Sequence, residues 1–359
     1  MTKKIGILTS GGDCPGLNAA IRGVAKALYE RMEDIELIGF HDGYWGLIKN
    51  EYKVLKPSDL SGILTIGGTI LGTIRSPFKE MHQKDDDKLE RVERMEQNYK
   101  NMDLYCLCTL GGNGTHKTAN LLSERGLNII GLPKTIDNDI WGTDVTFGFH
   151  TAVDIDTDVI DRLHTTAASH GRVMIAELMG NKAGWLTLYA GIAGGADVII
   201  LPEIPYDPQV VIDAVARRAD HGKPFSIVAI AEGALRTDEA KMKRKEIQRF
   251  REEEGFASAA LRLAKSIENA TEIETRVVVP GHMQRGGSPS AYDRILSTQF
   301  GVRAAELIYT EKFGYTVARV KGQLTENPLS EVAGKTKLVK PNDDLVRIAR
   351  HMGISFGDK

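Results

Sequence analysis

Pro133-Lys134-Thr135-Ile136-Asp137-Asn138-Asp139 places two carboxylates, an amide, a hydroxyl and an ammonium directly after the apolar run Asn128-Ile129-Ile130-Gly131-Leu132. The run reads as a short buried strand, and in an open α/β sheet ligands sit at the carboxyl ends of strands. The residues that follow are therefore candidates for chemistry. Asp137 and Asp139 are two positions apart, so an extended segment would put them on one side, where one can act as a base while the other handles a metal or orients its partner. The same residue types also populate Asx-rich surface turns that have no function. This stretch alone leaves both readings open.

The layout recurs on either side. Lys4 to Thr9 reads as a buried strand that runs into Ser10-Gly11-Gly12-Asp13-Cys14-Pro15-Gly16 and an amphipathic helix through about Tyr29. Asp103 to Leu110 runs into Gly111-Gly112-Asn113-Gly114-Thr115 before a helix from about His116 to Arg125. Strand, glycine-rich turn and helix form a phosphate cradle, because glycines let backbone N–H groups approach and the helix N-terminus adds positive potential. Two such units on neighbouring strands would aim two sets of amides at one place, which suits a polyphosphate. The lysine and hydroxyl that close a Walker loop are missing, and so is the G-x-G-x-x-G pattern of a dinucleotide-dependent dehydrogenase. After a strand over Ile35 to Phe40, a further glycine-rich turn, Gly67 to Ser76, carries Arg75. That arginine would be a fixed charge of the kind that stabilises a transferring phosphoryl group. Lys79 to Lys100 reads as an exposed, charge-rich helix.

From Thr146 a second run of alternating helices and strands predicts a second doubly wound unit. Its strands end on Met179-Gly180-Asn181 and on Glu232-Gly233, which are candidate partners for substrate hydroxyls. Thr237 to Asn269 reads as a long charged helical stretch with a break at Gly255. A strand over Thr275 to Pro280 leads into Gly281-His282-Met283-Gln284-Arg285-Gly286-Gly287-Ser288-Pro289, so Arg276, His282 and Arg285 make a candidate anion site. An arginine that starts a strand also suits a surface ion pair. A helix from Tyr292 to about Glu311 and a strand over Thr316 to Lys321 follow, and beyond Ala333 no pattern is legible.

Composition fits an ordinary soluble protein of about two domains with many tight turns: 359 residues, 42% hydrophobic, 26% charged, 37 glycines. The net charge of −2 gives no footprint for nucleic acid. Cys14, Cys106 and Cys108 are too few for a disulfide framework and read as core residues. No signal-peptide pattern and no apolar run of membrane-spanning length is present, so the expected location is cytoplasmic.

In order along the chain to about residue 325, these motifs resemble the 6-phosphofructokinases of the bacterial type. The resemblance runs through Leu8 to Asp13, Gly68-Thr69 to Arg75, Gly111 to Thr115, Thr135 to Asp139, Ser169-His170-Gly171-Arg172, Glu177 to Gly180, Glu232-Gly233 and Gly281 to Ser288. It implies an α/β chain of two doubly wound Rossmann-like domains with the active site in the cleft between them. Residues 1–148 plus about 256–310 would form the phosphoryl-donor domain. Residues 149–255 plus about 311–330 would form the fructose 6-phosphate domain, leaving 331–359 as an extension. The implied reaction is phosphorylation of fructose 6-phosphate at its 1-hydroxyl, with Mg²⁺ as cofactor.

By the same resemblance Asp137 is the base, with Thr135, Asp139 and Arg75 beside it. Gly12, Arg75, Ser76, Gly112, Asn113, Gly114 and Thr115 form the donor site. Thr135, Ile136, Asp137, Met179, Gly180, Asn181, Glu232, His282, Met283, Gln284 and Arg285 meet the sugar phosphate. Arg172 and Arg276 reach it from a neighbouring subunit, which implies a homo-oligomer, a dimer or tetramer.

The chain departs from the family pattern in four places. Gly114 resembles ATP users, whereas Lys134 resembles users of pyrophosphate; a mixed subgroup with both residues resembles this chain best and favours ATP. Asn113 replaces an aspartate that helps hold Mg²⁺, so Asn113 and Asp139 are the candidate metal residues and weaker metal binding is expected. Asn181 stands where an arginine is usual. Arg22 and Asp197 match the family's effector pocket, but His164 and Lys223-Pro224 do not, so effector control is not implied. Pyrophosphate as donor and a catalytically silent regulatory subunit are the competing readings.

Overall fold

The computed structural model describes residues 2–358 except 86, 87, 254 and 257. In chain order its strands are β1 (Lys3–Ser10), β2 (Ile35–Phe40), β3 (Tyr52–Val54), β4 (Leu104–Gly111), β5 (Ile129–Pro133), β6 (Val173–Leu178), β7 (Val198–Ile200), β8 (Ser226–Ala231), β9 (Thr275–Val278), β10 (Tyr315–Val320) and β11 (Gln323–Pro328). They form two sheets in two compact units, one of residues 1–151 with 285–337 and the other of 152–284 with 338–359.

The first sheet runs β11-β10-β5-β4-β1-β2-β3. Its five central strands are parallel, and the edge strands β3 and β11 are antiparallel. β1, β4 and β5 are neighbours, with Ser10 opposite Gly111 and Gly111 opposite Pro133. All three turns picked out in the sequence therefore leave one edge of one sheet side by side, at the carboxyl ends where ligands bind.

The second sheet runs β7-β8-β6-β9, all parallel. Alternate residues feed two cores. Met174, Ala176, Ile199, Ile227 and Ala229 enter one, and Val173, Ile175, Val198, Val228 and Ile230 the other. Burial on both faces is why these strands are almost uninterrupted Val, Ile and Ala.

Two unit boundaries and one helix differ from expectation. Residues 256–284 belong to the second unit because β9 hydrogen-bonds to β6. Residues 311–337 belong to the first because Tyr315 and Thr316 of β10 pair with Ile130 and Gly131 of β5. Beyond Ala333, where no pattern was legible, a helix, Asp344–His351, turns Val346 and Ala349 into the core that also takes Val339, Ile354 and Phe356. The helix expected over Lys79 to Lys100 is confined to Arg91–Asn101, where Glu93 accepts from the Glu90 N–H (2.9 Å) in a capping box. Part of that expected span, residues 86 and 87, lies outside the described residues.

Candidate active site

The helix after β4, Asn113–Glu124, has no side-chain cap at Gly112. Its first intrahelical bond is donated by His116 to the Gly112 carbonyl (3.0 Å), so the N–H groups of Asn113, Gly114 and Thr115 are left for another acceptor. The Tyr44 hydroxyl fixes this turn by donating to the Thr115 carbonyl (2.9 Å). The turn after β1 is held by the glycine-rich turn over residues 67–76, where the Thr73 hydroxyl donates to the Gly11 carbonyl (2.7 Å) and Gly11 N–H donates to the Ile74 carbonyl (3.3 Å). Arg75 follows directly and is exposed, whereas the buried hydroxyl of Ser76 has no partner among the described residues.

Lys134 and Arg285 both lie against the turn after β1. Lys134 is 3% exposed and donates its ammonium to the Gly12 carbonyl. Burial lowers its pKa. Arg285 donates to the Asp13 carbonyl (3.1 Å). A Cβ on residue 12 would come within 2.6 Å of its Nη1, so Gly12 makes room for the guanidinium. Arg285, expected among the sugar-phosphate contacts, thus sits in the first unit beside the expected donor turn.

Asp137 and Asp139 follow β5, but not in the extended segment first expected. Residues 136–137 are a turn, and Asn138 is left-handed at φ 50°. The two carboxyls still sense each other. Burial, and then the charge of Asp137, push the pKa of Asp139 up to about 6, while a hydrogen bond from Asn113 opposes the rise. Burial also raises Asp137, held down chiefly by Arg285 and Lys134. Thr135 Oγ1 accepts from the Asp137 N–H (3.1 Å), and Ile136 is fully buried beneath the turn. Asn113 donates Nδ2 to Asp139 Oδ2 (2.7 Å), and its buried Oδ1 has no partner among the described residues.

In the second unit, Leu178 and Ala231 are in register at the ends of β6 and β8. Met179-Gly180-Asn181 and Glu232-Gly233 therefore lie together, tied by Gly233 N–H to the Gly180 carbonyl (3.2 Å). The buried Gln284 accepts from Met179 N–H (2.9 Å), whereas His282 and Met283 beside it are exposed. Arg172 and Arg276 are at the opposite, amino ends of β6 and β9, and both pair with Glu274. Elsewhere in this unit a cavity of about 480 Å³ is lined by Asp197, Arg217, Arg218, His221, Lys223 and the stretch Met352 to Ser355. Asp197 is engaged there by Arg218 (2.8 Å) and by Ile227 N–H (2.9 Å).

A model of the family "Phosphofructokinase" matches residues 4–308. The chain belongs to the phosphofructokinase family. It is 56% identical to a protein of Spirochaeta thermophila named ATP-dependent 6-phosphofructokinase, over 99% of this chain and 98% of that one. It is 49% identical to ATP-dependent 6-phosphofructokinase 3 of Bacteroides thetaiotaomicron, over 99% and 100%. Among solved structures it resembles Pichia pastoris phosphofructokinase in the T-state (TM-score 0.77, 31% identity), covering 92% of this chain but only 35% of that one. A pyrophosphate-dependent phosphofructokinase from Marinobacter aquaeolei shares the fold (TM-score 0.80, 23% identity, covering 96% and 88%).

In this phosphofructokinase, sequence reasoning missed the residues that shape the Asp137 turn from a distance. Asn138 entered only as part of a motif, and Lys337 lies in a stretch with no legible pattern. Their contact spans 199 positions in sequence, and no local signal could have revealed it.

Proposed function

We propose that this chain transfers the terminal phosphoryl group of ATP to the 1-hydroxyl of fructose 6-phosphate, giving fructose 1,6-bisphosphate in glycolysis, in the cytoplasm. The observation that carries the reading is the half-buried Asp137 in the turn just beyond β5, on the sheet edge that β4 and then β1 continue with their glycine turns. Asp137 takes the hydroxyl proton, the hydroxyl oxygen attacks the phosphorus, and ADP leaves. Such a transfer asks the protein mainly for positioning and fixed charge. The uncapped amides of Asn113, Gly114 and Thr115 receive donor phosphates, with Gly12, Gly112 and Ser76 beside them, and the exposed Arg75 supplies positive charge. Met179, Gly180, Asn181, Glu232, His282, Met283 and Gln284 take the sugar phosphate, with Arg285 as the cation of the first unit.

Gly114 supports a nucleotide donor. A Cβ there would meet nothing within 4 Å, so the fold does not require glycine at a position where glycine costs helix stability. The open space suits a bound group. Lys134 resembles the pyrophosphate users, but its ammonium is spent on the Gly12 carbonyl, which makes it a strut for the donor turn. The names of the relatives at 44–56% identity point to ATP as well. Initial rates with fructose 6-phosphate and Mg²⁺ are expected to appear with ATP and not with pyrophosphate. Activity with pyrophosphate alone would overturn the donor assignment, and activity with neither would favour a silent regulatory subunit.

A single carboxylate, Asp139, and the unpartnered Oδ1 of Asn113 fit one edge of a Mg²⁺ site, with phosphate oxygens and water completing it. Mg²⁺ bound there would neutralise charge on the phosphates. Replacing Asn113 with aspartate restores a negative charge and is expected to lower the half-saturating Mg²⁺ severalfold. Unchanged half-saturation would remove Asn113 from that role.

A homo-oligomer completes the site in this reading. The six residues of β6 separate Arg172 from Met179 by roughly 20 Å at about 3.3 Å per residue. Arg172 and Arg276 therefore cannot join Met179 and Glu232 within one copy, and a neighbouring copy is their route to the sugar phosphate.

A further inference from the structure

We infer that Lys337 is a positioning residue for catalysis: from the C-terminal part of the first unit it locks the turn that carries Asp137 and Asp139. The inference rests on the assignment of Asp137 as the base.

Lys337 meets this turn with both its backbone and its side chain. Thr336 pairs with Ile140 in an isolated antiparallel bridge, and Lys337 N–H donates to the Asp139 carbonyl (2.8 Å). The ammonium then donates to Asn138 Oδ1 (3.0 Å), the Thr143 carbonyl (2.9 Å) and the Asp144 carbonyl (2.9 Å). Three acceptors match the three N–H bonds of a lysine ammonium. The cation thereby ties the start of the 138–144 loop to its end.

The residue it grips is the one whose conformation needs support. Asn138 is left-handed (φ 50°), a state that asparagine tolerates better than most side-chain-bearing residues but still holds less firmly than glycine, and it stands between the two functional aspartates. Its Oδ1 accepts from Lys337 and also from Thr146 N–H (3.1 Å). The far end of the loop is fixed independently, because Asp144 N–H donates to the Arg319 carbonyl of β10 (2.7 Å). Asn138 Nδ2 itself donates to the Asp144 carbonyl at the longer distance of 3.4 Å, and Lys337 adds the shorter, charged link that carries the rigidity of the first sheet back to Asn138, and through it to the two carboxyls. Without the link Asn138 can relax toward right-handed backbone and swing Asp137 away from the substrate hydroxyl. Displacements of about 1 Å at a reacting group cost on the order of 100-fold in rate.

Lys337→Met keeps the length of the side chain and removes the donors. Its kcat is expected to fall at least about tenfold, with KM for both substrates within about twofold of wild type, because the turn positions the base and does not hold the substrates. Lys337→Ala should regain rate on addition of ethylammonium, which supplies the missing N–H donors. In an Asn138→Gly background, where residue 138 adopts a left-handed backbone without help, Lys337→Met should add little further loss. If Lys337→Met keeps the wild-type kcat per folded molecule, or if its loss is undiminished in the Asn138→Gly background, the inference falls. Poor folding of Lys337→Met would move the test to the ethylammonium response of Lys337→Ala, and no rescue there would count against it. An inactive wild type would instead refute the catalytic reading itself.

Discussion

Asp137→Asn is expected to lower kcat by about 1,000-fold while leaving the KM values within a few-fold, within the range for loss of a positioned base. Asparagine keeps the shape of the side chain and the backbone N–H bond to the Thr135 hydroxyl, so what is lost is the ability to take a proton. The environment makes that ability useful. Burial raises the pKa of Asp137, bringing it closer to the pH at which the enzyme works, while Arg285 and Lys134 keep it from rising so far that the carboxyl stays protonated. A base must be ionised to act, so kcat/KM in the wild type should fall as pH drops through this raised pKa. In Asp137→Asn that acid limb should vanish along with most of the rate. Steady-state kinetics with ATP and fructose 6-phosphate between pH 5 and pH 9 measure both effects. Wild-type turnover in the variant would take Asp137 out of the mechanism.

The parts of the site that were legible in the sequence are those built from neighbours in the chain. Gly111 to Thr115 and Thr135 to Asp139 each combine a strand end, a turn and the functional groups in a few residues, so composition and order reveal them. That the first two glycine turns leave neighbouring strands was only a condition in the sequence, and the order β5-β4-β1 that meets it is a product of the sheet. Features made by contacts distant in sequence were not legible. β11 has polar, half-exposed residues and owes its existence to pairing with β10. The unit boundaries near 285 and 338 depend on which sheet accepts β9 and β10. Asp137 and Asp139 were expected to share a side through extended backbone, yet they are close in charge terms through a turn, because a left-handed Asn138 held by Lys337 and Thr146 is a tertiary product. The burial of Lys134 against Gly12 belongs to the same class, since a lysine in a loop reads as solvated until a carbonyl is found facing it.

The largest expected effect on stability comes from a residue outside the active site. Asp156, on the helix Phe149–His170, is fully buried, and among the described residues neither of its carboxylate oxygens has a hydrogen-bond partner. Burial alone pushes its pKa up from 3.8 to about 8. Below about pH 4 the group is neutral in folded and unfolded chains alike and costs nothing through ionisation. Between pH 4 and pH 8 the unfolded chain releases the proton and the folded chain keeps it, so folding stability falls by about 1.4 kcal/mol per pH unit. The accumulated loss near pH 8 is on the order of 5 kcal/mol, and above that pH both states are ionised and the loss is complete. Asp156→Ala removes the titrating group and favours the helix, against a small loss of packing of about 1 kcal/mol. The two terms differ in pH dependence, which separates them. At pH 8 the variant should be the more stable protein by several kcal/mol, and by pH 5 most of that advantage should be gone, because the wild type no longer bears the ionisation penalty. Denaturant unfolding of the two proteins at pH 5, 6.5 and 8 measures the difference directly, and a gap that stays constant across that range would mean that Asp156 is not held neutral in the fold.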